Sequence, residues 1–259
     1  VINAKTPTPP EILGVGFTLT VVAGFVDAVG FLTLGQIYVA NMSGNTVAVA
    51  IHLSDRHWGQ AWSHVCPLLA FVPGLVAGGL VVALCKRFGR RSCLAPAVLI
   101  EAVGLAVFLV IARGAPSPAP VTATIGGPIR YAVLVGLLAF SMGLQNGALR
   151  RIGALQDLHT YVTGTLLATA HGFTDYLMWV GRWLRRPLRA RLVRLIKASR
   201  HQRSLRSAAV AGSLWSVYII SALAGAAART RFGVGTLWIP LVALAVIGIV
   251  DLVKPVRRA

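Results

Sequence analysis

The stretch Gly24–Thr46, GFVDAVGFLTLGQIYVANMSGNT, joins an apolar helix carrying one acid to a run of Asn, Ser, Gly and Thr. With the residues back to Gly14, its first part is long enough to cross a bilayer, for which about 20 apolar residues are needed. Its second part is apolar only between polar side chains. The same succession returns at Gly143–Thr165, GLQNGALRRIGALQDLHTYVTGT, where Gly164 matches Gly44 with a one-residue offset. Two more apolar runs follow each motif, with Pro96 and Pro240 near the start of the last. The unit is span, polar motif, span, span, and it occurs twice, over about 14–112 and 131–253.

Composition agrees with a bilayer as solvent. The 259 residues are 56% hydrophobic and 12% charged, and mean hydropathy is +0.74, values that a water-soluble domain of this length would not carry. Apolar runs at Gly14–Leu34, Val65–Leu84, Leu94–Ala112, Tyr131–Leu149, Ala208–Ala228 and Leu237–Val253 read as spans. Ile37–Leu53 and Leu158–Val180 are interrupted by polar residues and read as full or broken helices. The fold class is therefore all-α: a polytopic membrane bundle of about six spanning helices plus two broken or re-entrant polar segments, in one transmembrane domain over 1–259. The Pro/Thr-rich start, VINAKTPTPP, leads into the first run with no small-residue cleavage pattern, so a retained first helix is expected. Cys66, Cys85 and Cys93 form no CxxC or metal spacing and read as small apolar residues.

The formal net charge of +18 would ordinarily suggest nucleic acid, but the Lys and Arg sit in short gaps between apolar runs, with no aromatic interleaving or known module. That is a topology signal, and nucleic acid is not an expected partner. If both polar segments crossed fully, Lys86–Arg91 would lie opposite Arg182–Arg206, against the positive-inside rule. If both dip in and return, these clusters, Arg150, Arg151 and Lys254–Arg258 share the cytoplasmic side, with both termini cytoplasmic in an inner membrane. Three crossings per unit would invert the second unit relative to the first, the inverted-repeat plan of secondary transporters. A seven-span arrangement with one re-entrant motif stays open. The segment 182–206 has ten basic residues and no acid; its Leu spacing suits an amphipathic helix on the cytoplasmic surface, with anionic lipid headgroups as partners or with no ligand at all.

The embedded polar residues are the candidate site. A carboxylate costs at least about 2.5 kcal/mol at the bilayer centre if it faces lipid, so Asp27 must face protein, water or a cation. Its counterpart in the second unit is Asn146, beside Gln145. Asn41, Ser43, Gly44, Asn45 and Thr46 in the first motif, and Thr160, Thr163, Gly164 and Thr165 in the second, offer donors and acceptors around a bendable backbone. A helix starting just after such a glycine would aim its free N–H groups at an anionic or carbonyl-bearing solute. The competing reading is helix packing through small and polar side chains. Glu101, whose matching position holds Ala245, is an unmatched membrane acid and a candidate proton or cation carrier alongside Asp27. His159, His171 and Asp175 fit no zinc spacing, so no metal and no cofactor are expected, and for His171 and Asp175, four apart, a local hydrogen bond is the simpler account. No G-x-S-x-G, HExxH or P-loop occurs, which argues against an enzyme.

GFVDAVGFLTLG, VANMSGNTVAVA and MGLQNGALRRIG with TYVTGTLLATA resemble the YoaK-like family of bacterial membrane proteins, a domain of unknown function. The likeness spans most of the chain, with Ser43 where that family usually has Thr. It implies a multi-pass membrane protein and supplies no substrate or reaction. The residues themselves lead to a small transporter or permease for a small solute, plausible as a homodimer, with a channel-like or purely structural membrane scaffold as the alternative.

Overall fold

The computed structural model describes residues 10–112, 127–152, 162–184 and 202–255. These form α1 (Pro10–Thr33), α2 (Met42–Ser54), α3 (Trp58–Arg87), α4 (Ala95–Ala112), α5 (Pro128–Leu149), α6 (Val162–Leu184), α7 (Arg203–Phe232) and α8 (Trp238–Val253), the last two joined by a 3-10 turn at Gly233–Leu237. The described residues contain no strand. Each of the six apolar runs lies on one of α1, α3, α4, α5, α7 and α8. Five stretches are long and apolar enough to cross a membrane: Ile12–Thr33, Trp58–Arg87, Ala95–Ala112, Ile129–Leu149 and Arg203–Val253, the last holding both α7 and α8. The chain is a polytopic helical membrane bundle.

The surface is built for lipid. On α3, Leu69, Val72, Val76, Leu80 and Leu84 form an exposed apolar stripe at three- and four-residue spacing, while Phe71, Gly74, Gly78 and Val82 on the opposite face are buried. A stripe of that kind is a liability in water and ordinary against hydrocarbon.

Glycines set the closest packing. A Cβ at Gly74, Gly78, Gly143 or Gly147 would overlap the backbone of the facing helix, so α3 and α5 touch through two small-xxx-small pairs. Phe71 faces Gly143 and Leu75 faces Gly147, so the two helices run parallel. Gly24 meets the Tyr218 carbonyl and Gly225 the Phe25 carbonyl; with Arg229 donating to Thr33, α1 and α7 are parallel too. The contacts correspond position by position: Gly24 on Tyr218 matches Gly143 on Phe71, and Gly225 on Phe25 matches Gly78 on Leu144.

The remaining directions follow. Gln145 reaches the Leu19 carbonyl and Tyr131 the Leu34 carbonyl, so α1 and α5 are antiparallel. Helix α1 is therefore antiparallel to α3, and the end of α1 lies on the same side as the start of α3. Between them α2, with 13 residues, is only about 20 Å long, too short to cross a hydrocarbon core of about 30 Å. Ile37–Leu53 is thus not a full spanning helix. Helices α6 and α7 are antiparallel through Gly172 on Ser204 and Gly212 on Thr169; α4 and α8 are antiparallel through Ala95 on Asp251 and Leu99 on Gly248. One end of the bundle therefore collects Lys86, Arg87, Arg90, Arg91, Arg150, Arg151, Arg182, Arg203, Arg206 and Lys254. Lys86 Nζ donates there to the Arg151 carbonyl. The other end has Arg56, Arg130, Arg229 and Arg231.

Candidate functional site

Helix α1 stops where its sequence turns from apolar to Gly35-Gln36. Both adopt positive φ, 73° and 67°, and the Gln36 N–H returns to the Phe31 carbonyl over 2.9 Å, closing the helix in the manner of a Schellman cap. The chain then runs back along α1 as an irregular segment, with Leu34, Ile37 and Val39 fully buried. Irregular backbone at membrane depth survives only where protein or trapped water satisfies its polar groups. Here protein does so.

Asp27 is the main provider. Its Oδ1 accepts the Val39 and Ala40 N–H groups at 2.7 and 2.8 Å. Its Oδ2 accepts Asn41 Nδ2 at 3.0 Å and Tyr218 Oη at 2.6 Å, and Asn41 Nδ2 also reaches Tyr218 Oη at 2.7 Å. Four donors converge on one carboxylate that is 3% exposed. Asp27 thereby satisfies the returning segment and ties it to α7.

Asn45 performs the neighbouring task. Its Oδ1 accepts the Tyr38 N–H at 3.1 Å and its Nδ2 donates to the Tyr38 carbonyl at 2.6 Å, replacing the partners a strand would have supplied. His64 Nδ1 lies 3.3 Å from Asn45 Oδ1, and the His52 ring stacks on His64 with centroids 5.3 Å apart. Tyr131 Oη donates to the Leu34 carbonyl at 2.8 Å.

Helix α2 begins at Met42, so Ser43 and Gly44 lie inside its first turn. The start expected just after the glycine lies three residues earlier, nearly a full turn. The cause is Asp27, which holds residues 39–41 in a bent, non-helical course and releases the chain into a helix only at Met42. Asn41, the residue before the helix, makes no side-chain cap; its amide is committed to Asp27 and Tyr218.

The candidate residues thus divide. Asp27, Asn41 and, through Tyr38, Asn45 form one cluster with Tyr218. Ser43 and Thr46 are exposed and Gly44 is half-buried, with Thr46 Oγ1 bonded to the Met42 carbonyl at 2.9 Å. In the second motif α6 is described from Val162; Thr163 is exposed, Gly164 half-buried and Thr165 buried, while Thr160 and His159 lie outside the described residues, as does most of the basic segment 182–206. His171 and Asp175 are exposed on α6. Helix α2 packs on α3 and α6 on α7, so the two motif helices are not a packed pair. Gln145 Nε2 bonds the Leu19 carbonyl at 3.1 Å and Asn146 Nδ2 the Met142 carbonyl at 2.8 Å, both buried. Glu101 is fully buried on α4.

Residue reasoning did not find Tyr218. A lone Tyr in an apolar run carries no signal, and Phe71 stands in the matching contact on Gly143, so comparing the two polar stretches does not mark it.

A family model for a protein of unknown function, DUF1275, matches residues 15–250. The chain belongs to this family. It is 26% identical over 161 residues to the UPF0700 transmembrane protein YoaK of Bacillus subtilis (strain 168), an alignment covering 62% of this chain and 67% of that relative. No solved structure matches. The chain is thus a transmembrane protein of the YoaK-like family, and the cluster around Asp27 joins four donors on one buried carboxylate among its described residues.

Proposed function

We propose that the chain is a small secondary transporter or permease, with six crossings arranged as an inverted repeat and the residues 34–57 re-entrant from the side opposite the basic end. The observation that carries this reading is a helix start inside the bundle: α2 begins level with Asp27, between one and two turns short of the end of α1, beside Asn41 and Tyr218. Broken helices whose ends meet polar side chains near the midplane are how secondary transporters build solute sites. The antiparallel first helices of the two halves and the interchangeable glycine contacts support the inversion. The gathering of Lys and Arg at one end supports placing that end, and both termini, in the cytoplasm. We assign the chain no enzymatic activity.

Purified protein in liposomes, tested for uptake across a panel of small anions, cations and neutral metabolites, tests the reading. Accumulation that Asn41→Ala abolishes in protein that still folds supports it. Absence of flux and of ligand-dependent thermal stabilisation across the panel overturns it in favour of the scaffold, a reading that has the saturation of Asp27 by four internal donors on its side.

A further inference from the structure

Among the described residues four buried side chains keep a polar atom without a hydrogen-bond partner, Glu101, Gln145, Ser204 and Trp215, and the first two lie on neighbouring helices. Neither Glu101 Oε1 nor Oε2 has a partner, and Gln145 Oε1 has none, although Glu101 is 0% and Gln145 2% exposed. Native interiors rarely tolerate such groups, and an ionised carboxylate in apolar surroundings is the most expensive of them.

The two belong together. Helices α4 and α5 meet where a Cβ on Gly104 would strike Ser141 Oγ, and they run antiparallel, as the bond from Arg130 to the Ile111 carbonyl also requires. One turn along α5 from Ser141 is Gln145; one turn back along α4 from Gly104 is Glu101. The Gln145 amide cannot be turned round, because the Leu19 carbonyl accepts only from its N–H side. Its oxygen is therefore fixed as an acceptor without a donor. Among the described residues the neighbouring elements bring no cation to this level. At this level α8 presents Ala245, and its nearest acid, Asp251, is engaged by the Ser92 hydroxyl and the Ala95 N–H. Helix α3 presents Phe71 and Gly74, the 3-10 turn presents Thr236 towards the far end, and Asp27 lies about two turns away along α1.

We infer that Glu101 and Gln145 form a proton-binding site, the Glu101 carboxylic acid donating its O–H to Gln145 Oε1. One proton supplies the donor missing between two acceptors and neutralises the buried charge. The pairing stands whether or not the chain transports anything; its use in coupling solute movement to protons rests on the function proposed above.

The experiment is infrared spectroscopy of the full chain in lipid at neutral pH, with carbon-13 glutamate incorporated. Glu11 and Glu101 are the two glutamates of the sequence, and Glu11→Gln removes the first. The expected result is a carboxylic-acid carbonyl band that moves with the label, disappears in Glu101→Gln, and shifts in Gln145→Leu but not in Asp27→Asn. The labelled Glu11→Gln protein alone decides the matter if Glu101→Gln fails to fold. A label-sensitive carboxylate band with no acid band overturns the inference, and so does an acid band that sodium or potassium abolishes, which would make the pair an alkali-cation site. A band that Gln145→Leu leaves in place overturns the pairing.

Discussion

Tyr218 on α7 donates its hydroxyl to Asp27 on α1 across 2.6 Å, between residues 191 apart in the chain. The bond fastens the returning segment of the first half to a helix of the second. Asp27→Asn keeps the shape but confronts Asn41 Nδ2 and Tyr218 Oη with an amide that is itself a donor. It should cost about 1–3 kcal/mol, and Asp27→Ala more, because four donors lose their acceptor. Thermal unfolding in detergent measures both. An Asp27→Ala protein as stable as wild type would show that the carboxylate does not hold the segment.

Gly78 has no room for a side chain against the Leu144 carbonyl, whereas Gly14 has nothing near it. Gly78→Val should destabilise by about 1–3 kcal/mol or prevent assembly. Gly14→Ala should be neutral or favourable by about 0.5–1 kcal/mol, since Ala suits a helix better. Yield of monodisperse protein and melting temperature separate the two.

Asp251, near the end of α8, accepts the Ala95 N–H at 2.9 Å together with the Ser92 hydroxyl. It caps the start of α4 from another helix and sits favourably at that helix's positive end. Removing an N-terminal cap costs about 0.5–2 kcal/mol. Asp251→Ala should therefore raise hydrogen exchange in the first turn of α4 before it affects α5; uniform exchange across both helices would contradict this.

Sidedness gives a test without energetics. Asp55 and Arg151 stand at opposite ends of the bundle, so a single cysteine at 55 should react with an impermeant thiol reagent from outside and one at 151 only from inside. The reverse pattern, 55 from inside and 151 from outside with a cytoplasmic N-terminus, would mean that 34–57 crosses the membrane.

The six apolar runs were legible because length and hydropathy alone decide whether a helix can span. The duplicated motifs were legible as polar interruptions, and Glu101 as an acid without a counterpart. What Asp27 does was not legible: two of its four partners are backbone N–H groups of Val39 and Ala40, which any residue but proline would offer, and another is a tyrosine far along the chain. The helix start at Met42 was missed for the same reason, because it depends on where Asp27 lets go of the backbone. The glycine contacts were hidden too, since a glycine in an apolar run reveals nothing about which carbonyl it approaches.

The parallel pairs α1 with α7 and α3 with α5 place their closest helix-to-helix backbone contacts between the halves. During synthesis, then, α1 must wait in the membrane until α7 has been made. Asp27 can recruit Val39, Ala40 and Asn41 almost at once, which shields its charge early, but its bond to Tyr218 is among the last to form. Truncation before α7 should leave α3 and α5 able to pair but α1 without the helix on which Gly24 and Asp27 close, a natural target for quality control.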